Sequence, residues 1–112
     1  MFFRRIAMGL YVHTYLDKQK EDFIMSDARI QQFSEKLKAL SHPQRLSIVE
    51  GLMQQPSNVT SIQQHLGIPQ PSVSAHLAKL KNAGIIQGQR QGQEISYSLV
   101  DEDTRNLLNL MH

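Results

Sequence analysis

The sequence predicts an α+β fold, mainly α, in which four helices lead into a β-hairpin and a last helix follows. Three observations predict it. Apolar residues recur at intervals of three and four between positions 30 and 80, the spacing that lines one face of a helix. The period then drops to two, at Ile86 and again in Ile95, Tyr97 and Leu99, as in a half-buried strand. Pro, Gly and Ser punctuate the helical stretches at Ser41-His42-Pro43, Gln54-Gln55-Pro56-Ser57 and Gly67-Ile68-Pro69.

The first helix starts near Ser26 and carries Ile30, Phe33, Leu37 and Leu40 on one face, with Arg29, Glu35, Lys36 and Lys38 between them. Pro43 pushes His42 out of the helical region and suits the first turn of a second helix, whose apolar residues are Leu46, Ile48, Val49, Leu52 and Met53. Val59-Thr60-Ser61 begins a third helix, with Ile62 and Leu66 four apart, and Gly67 is placed to end it. The fourth runs from Gln70, with Pro71 in its first turn, Val73, Leu77 and Leu80 facing inward, and Ala83-Gly84 closing it. Gln91-Gly92 is the turn candidate of the hairpin. Asp101-Glu102-Asp103 supplies carboxylates for the start of the last helix, where the macrodipole favours them, and Leu107, Leu108 and Met111 are its apolar residues.

At 112 residues the chain holds one small domain, and small domains often gain stability by dimerising. Residues 25–112 form that domain. Residues 1–24 read as an N-terminal extension, either an upstream addition with no function, such as a misplaced start, or an extra interface helix. Arg4 and Arg5 before a short apolar run imitate a signal peptide, but a nearly all-charged stretch, 17–22, follows instead of a cleavage site. No run approaches the roughly 20 apolar residues of a membrane span, so a cytoplasmic protein without membrane partners is expected. The absence of cysteine excludes disulfides, thiolate metal sites and thiol redox sensing. With no nucleophile elbow, Gly-rich phosphate loop or HExxH, an enzyme is not expected, and no cofactor is implied.

Two helices joined by a short Gly-containing break and followed at once by a hairpin make the layout of a winged helix-turn-helix. One α-helix fits the DNA major groove, and its outward side chains near the N-terminus reach base edges and phosphates. Helix four meets that need with Gln70, Ser72, Ser74 and His76 first and Lys79 and Lys81 later, Gln70, Ser72, Ser74 and His76 being expected on one solvent-exposed side. By resemblance to the wing of such proteins, Arg90 and Gln91 of the hairpin are expected to join them as DNA contacts. Between positions 41 and 99, four cations (Arg45, Lys79, Lys81, Arg90) stand against two acids (Glu50, Glu94), a mild bias toward a polyanionic partner.

The string from Ala39 to Val49, ALSHPQRLSIV, is similar to a signature of the arsenic-repressor-type (ArsR/SmtB) family of bacterial transcription repressors. Gln70-Pro71-Ser72-Val73-Ser74-Ala75-His76-Leu77 resembles that family's recognition-helix motif, and Arg90-Gln91-Gly92 to Tyr97-Ser98-Leu99 resembles its wing. The likeness covers roughly positions 30 to 111. It implies homodimers paired through the first and last helices, here through Ile30, Phe33, Leu37, Leu107, Leu108 and Met111, that bind an imperfect operator palindrome. Many relatives release DNA when metal binds. The position of the family's Cys-x-Cys is Asn58-Val59-Thr60, and at its second metal site Asp101 matches but Asp103 replaces the His, so the metal-independent subset is the expectation, with the effector unknown. Two alternatives stand beside it: a metal-responsive repressor using Asp101, Asp103 and His112 across the dimer, and a winged-helix module for protein or RNA contacts.

Overall fold

The computed structural model describes residues 26–112, so the proposed extension, 1–24, lies outside the described residues. The elements run α1 (Asp27–Leu40), α2 (Pro43–Gln54), β1 (Ser57–Asn58), α3 (Val59–Leu66), α4 (Gln70–Asn82), β2 (Ile86–Gln91), β3 (Glu94–Leu99) and α5 (Glu102–Asn109). The compact body comprises residues 34–112. The α+β class and the order of elements are those the periodicity predicts.

Helices α2, α3 and α4 bury their periodic faces in one core, to which α1 contributes Ala39 and Leu40 at its end. Ile48, Val49 and Leu52 of α2, Ile62 of α3, and Val73, Leu77 and Leu80 of α4 meet Ile85, Ile86, Leu99 and Leu108 there. Fully burying a Leu or Ile side chain contributes about 1.5–3 kcal/mol relative to leaving it in water. Local chemistry sets the helix ends. His42 caps α2 by accepting the Gln44 N–H at Nδ1 (3.1 Å), and Asn58 caps α3 by accepting from Ser61 (2.8 Å). The α4 terminus is closed by Gly84 at φ 79°, whose N–H donates to the Lys81 carbonyl while that of Ile85 reaches back to Leu80. This is the Schellman arrangement, with Leu80 and Ile85 as its apolar contact. It turns the chain directly from α4 into β2.

The hairpin differs from expectation in two ways. Its two-residue turn is Gly92-Gln93, since Gln91 pairs with Glu94; Gly92, at φ 65°, takes the positive φ that a type II′ turn demands of its first central residue. The sheet also has three strands, in the order β1-β3-β2 and antiparallel throughout. Ser57 and Asn58 pair with Tyr97 and Ser96, and a polar dipeptide is too short to display any period.

At the far end, Asp101 caps α5. Its Oδ2 accepts from the Thr104 N–H (3.0 Å) and hydroxyl (2.6 Å), and its Oδ1 meets Lys36 Nζ of α1 at 2.7 Å. Burial alone raises the Asp101 pKa, but the hydrogen bonds from Lys36 and Thr104 outweigh it and hold the carboxyl below its ordinary value. The bond to Asp101 in turn raises the pKa of Lys36. The apolar assignment of α5 needs correction. Thr104 and Leu108, four apart, are the buried pair, and Leu108 is only 2% exposed. It belongs to the core of its own chain and not to a dimer face. A threonine marks the inner face of this helix, which is why apolar counting alone misplaces it.

Candidate nucleic-acid interface

Between α3 and β3 the exposed side chains include Gln64, Gln70, Ser74, Gln89, Arg90 and Gln91. Gly67, Ile68 and Pro69 join α3 to α4, and the Pro69 carbonyl accepts from the N–H groups of Ser72 and Val73. Val73, Leu77 and Leu80 are buried, as the period predicts. The expectation that Gln70, Ser72, Ser74 and His76 share one exposed side does not hold. Steps of two residues turn a helix by about 200°, so these four divide between two flanks. Gln70 and Ser74 are exposed, whereas Ser72 and His76 are half-buried on the other flank. The outermost ridge is Pro71, Ala75 and Ala78, all exposed, with Lys79 beside it. Small side chains here let a partner approach the helix backbone closely, and α4 contains no acid. Pro71 and Ala78 do not appear among the expected surface residues; a count at 3.6 residues per turn finds both.

His76 is held from α2. Its Nε2 lies 2.8 Å from Gln44 Oε1 and its Nδ1 3.4 Å from Arg45 Nη1. Burial first, then the positive charge around it, lowers its pKa. His76 therefore ties α4 to the start of α2.

The hairpin projects Gln89, Arg90, Gln91 and Gln93, all exposed. Its acid, Glu94, is drawn aside by Asn58, whose Nδ2 donates to Glu94 Oε2 at 2.9 Å. Asn58 thus caps α3 with its oxygen and ties the hairpin with its nitrogen. At the position compared above with a Cys-x-Cys site, Asn58 serves hydrogen bonding. The donors considered for a second metal site are also engaged elsewhere: Asp101 and Asp103 face Lys36, and His112 Nε2 lies 2.6 Å from Glu50 Oε1. Among the described residues no group of three or more His, Asp or Glu converges as a metal site.

Residues 42–87 match the family described as bacterial regulatory protein, arsR family. The chain is 33% identical, over 86 residues, to the biofilm growth-associated repressor of Xylella fastidiosa, covering 77% of this chain and 75% of that protein. The chain belongs to the arsR family. It is also 39% identical over 80 residues to the transcriptional repressor PagR of Bacillus anthracis, with 70% of this chain and 80% of PagR covered. The PagR crystal structure superposes with a TM-score of 0.72, spanning 78% of this chain and all of that one. A homodimeric winged helix-turn-helix DNA-binding domain from Mycobacterium bovis, 30% identical, superposes at 0.70 over 80% of this chain and 85% of that one. The relatives are transcription regulators, and the fold of this arsR-family chain is a winged helix-turn-helix in which α3 and α4 are the helix pair and β2–β3 the wing.

The arsR-family chain also leaves apolar side chains uncovered at its first and last helices. Ile30 and Leu37 of α1 are exposed and Phe33 is half-buried; beyond α5, Leu110 is 83% and Met111 68% exposed, with Leu107 half-buried. Leu110 is not among the residues expected at a dimer face, although it lies three after Leu107 on the same side.

Proposed function

We propose that this chain is a sequence-specific double-stranded DNA-binding repressor that acts as a homodimer on an operator palindrome. The observation that carries this reading is the acid-free outer face of α4, flanked by a wing whose single cation is Arg90. Gln70 and Ser74 supply base-edge hydrogen bonding, and Lys79 takes phosphate. Ser72 lies toward the flank, within reach of the backbone. Arg90 and Gln91 place the wing. Two copies joined through Ile30, Leu37, Leu107, Leu110 and Met111 present two such faces, and the regulator works in the cytoplasm beside the chromosome. Metal is assigned no role, since Asp101 is engaged by Lys36 and Thr104 and His112 by Glu50. One equivalent of zinc, nickel or cobalt is expected to change operator affinity by less than about tenfold, against the roughly 5–150-fold usual for allosteric coupling; a larger drop points to Asp101, Asp103 and His112 as ligands.

Selection of bound genomic fragments tests the reading, since it should return one recurrent, two-fold-related sequence. Salt titration of variants then separates the roles. Arg90→Ala is expected to weaken selected and random duplexes by similar factors and to lower the salt slope by about one unit per half-site. Gln70→Ala is expected to cost about 1–3 kcal/mol on the selected duplex alone, the value of a bidentate amide–adenine pair. If no fragment is enriched and affinity hardly responds to salt, a protein-contact module replaces the repressor.

A further inference from the structure

The flank of α4 that faces α2 is built around one histidine in one protonation state. The Arg45 guanidinium has only donors, so His76 Nδ1, 3.4 Å from Arg45 Nη1, must accept. A neutral ring then carries its hydrogen on Nε2, where Gln44 Oε1 receives it at 2.8 Å. Both partners are themselves anchored. Arg45 Nε donates to the Ala39 carbonyl at 2.5 Å, and the Gln44 backbone N–H donates to His42 Nδ1. The His42 ring lies 4.6 Å from the His76 ring, centroid to centroid.

We propose that His76 is a positioning residue that locks α4 to the start of α2 only while neutral, and that protonating it releases the lock and weakens DNA binding. The proposal rests on the DNA-binding function above. A proton on Nδ1 converts an acceptor into a donor that faces a guanidinium, so the hydrogen bond becomes a like-charge contact. The remaining surroundings give little relief. His42 comes from the start of α2, Lys79 from the next turn of α4, and Glu35 and Lys38 from α1, these last lining with Arg45 and Lys79 a cavity of about 290 Å³. Lys38 itself lies 3.7 Å from Glu35, so the acid of that cavity already has a cation beside it.

The direction follows from linkage. Desolvation, then the fields of His42, Arg45 and Lys79, keep the His76 pKa below the ordinary 6.5. The unfolded chain therefore binds this proton more readily than the folded one, and the stability the lock contributes is lost as pH falls from about 6.5 through the ring's lower value. Added positive charge by itself strengthens binding to a polyanion. A loss of affinity in acid is thus the opposite of what charge alone produces.

The test compares the full chain with His76→Gln, which keeps a donor for Gln44 and does not titrate, on a duplex recovered in the genomic selection, from about pH 8 to 5. The wild type is expected to lose affinity by about tenfold per pH unit for each protomer below the ring's pKa, and the variant to stay flat. A wild-type affinity that is constant or rises in acid, or a variant that falls in parallel, overturns the proposal. Nitrogen NMR of the wild-type histidine rings decides independently of any duplex and of the variant's folding. The neutral Nε2–H tautomer is expected at His76, with the Gln44 side-chain amide shifting at the same midpoint; the other tautomer, or a Gln44 signal that ignores the titration, overturns it. Failure to recover any duplex counts against the DNA-binding reading and leaves this second result standing.

Discussion

Replacing Leu108 by Glu is expected to abolish the folded state at physiological temperature, a larger effect than the separation of subunits. Leu108 is 2% exposed in the core with Leu80, Ile85 and Leu99. Removing a buried leucine costs about 2–5 kcal/mol, and a carboxylate left there without a partner adds several more, or shifts its pKa far upward to escape ionisation. Small domains have only about 5–15 kcal/mol of stability in total. Urea denaturation followed by circular dichroism should therefore show no cooperative transition, or one whose midpoint has moved close to zero denaturant. A variant within about 1 kcal/mol of wild type would mean that α5 is rotated relative to the packing described.

The paired change Leu110→Glu with Met111→Glu should behave in the opposite way. Both side chains are largely exposed, at 83% and 68%, so the fold has nothing to lose from charge there. A two-fold contact built on this face has much to lose, because carboxylates buried without partners are costly. Sedimentation is expected to give a folded monomer, with Leu37→Glu, at a position 47% exposed on α1, having a similar effect. Operator affinity should then fall by about 10²–10⁴, the gain that linking two half-site contacts supplies through effective concentration. Dimer mass unchanged in both variants would place the interface elsewhere. The contrast between the Leu108 substitution and the pair at Leu110 and Met111 is itself informative, since the three residues lie within one turn of each other.

Much of this protein is legible in its residues alone, for a local reason. Whether a side chain at position i faces inward is repeated at i+3 and i+4 in a helix and at i+2 in a strand, so the buried faces of α2 to α4 and the switch to strands after Gly84 can be read without knowing what they pack against. Caps and breaks are local too: Pro43, Gly67, Gly84 and Asp101 each act on their immediate neighbours. The absence of cysteine and the order of helix, turn, helix and hairpin narrow the chemistry for the same reason. Tertiary structure decides what depends on a partner distant in the chain. Ser57 and Asn58 become a strand only because β3 offers them an edge. Thr104 takes the inner face of α5 because Asp101 satisfies its hydroxyl, so that Leu108 fills the core while Leu110 and Met111 stay exposed. His76, spaced like a reader, is drawn into the fold by Gln44 and Arg45, 32 and 31 residues earlier; no periodicity along one helix can report a hydrogen bond to another.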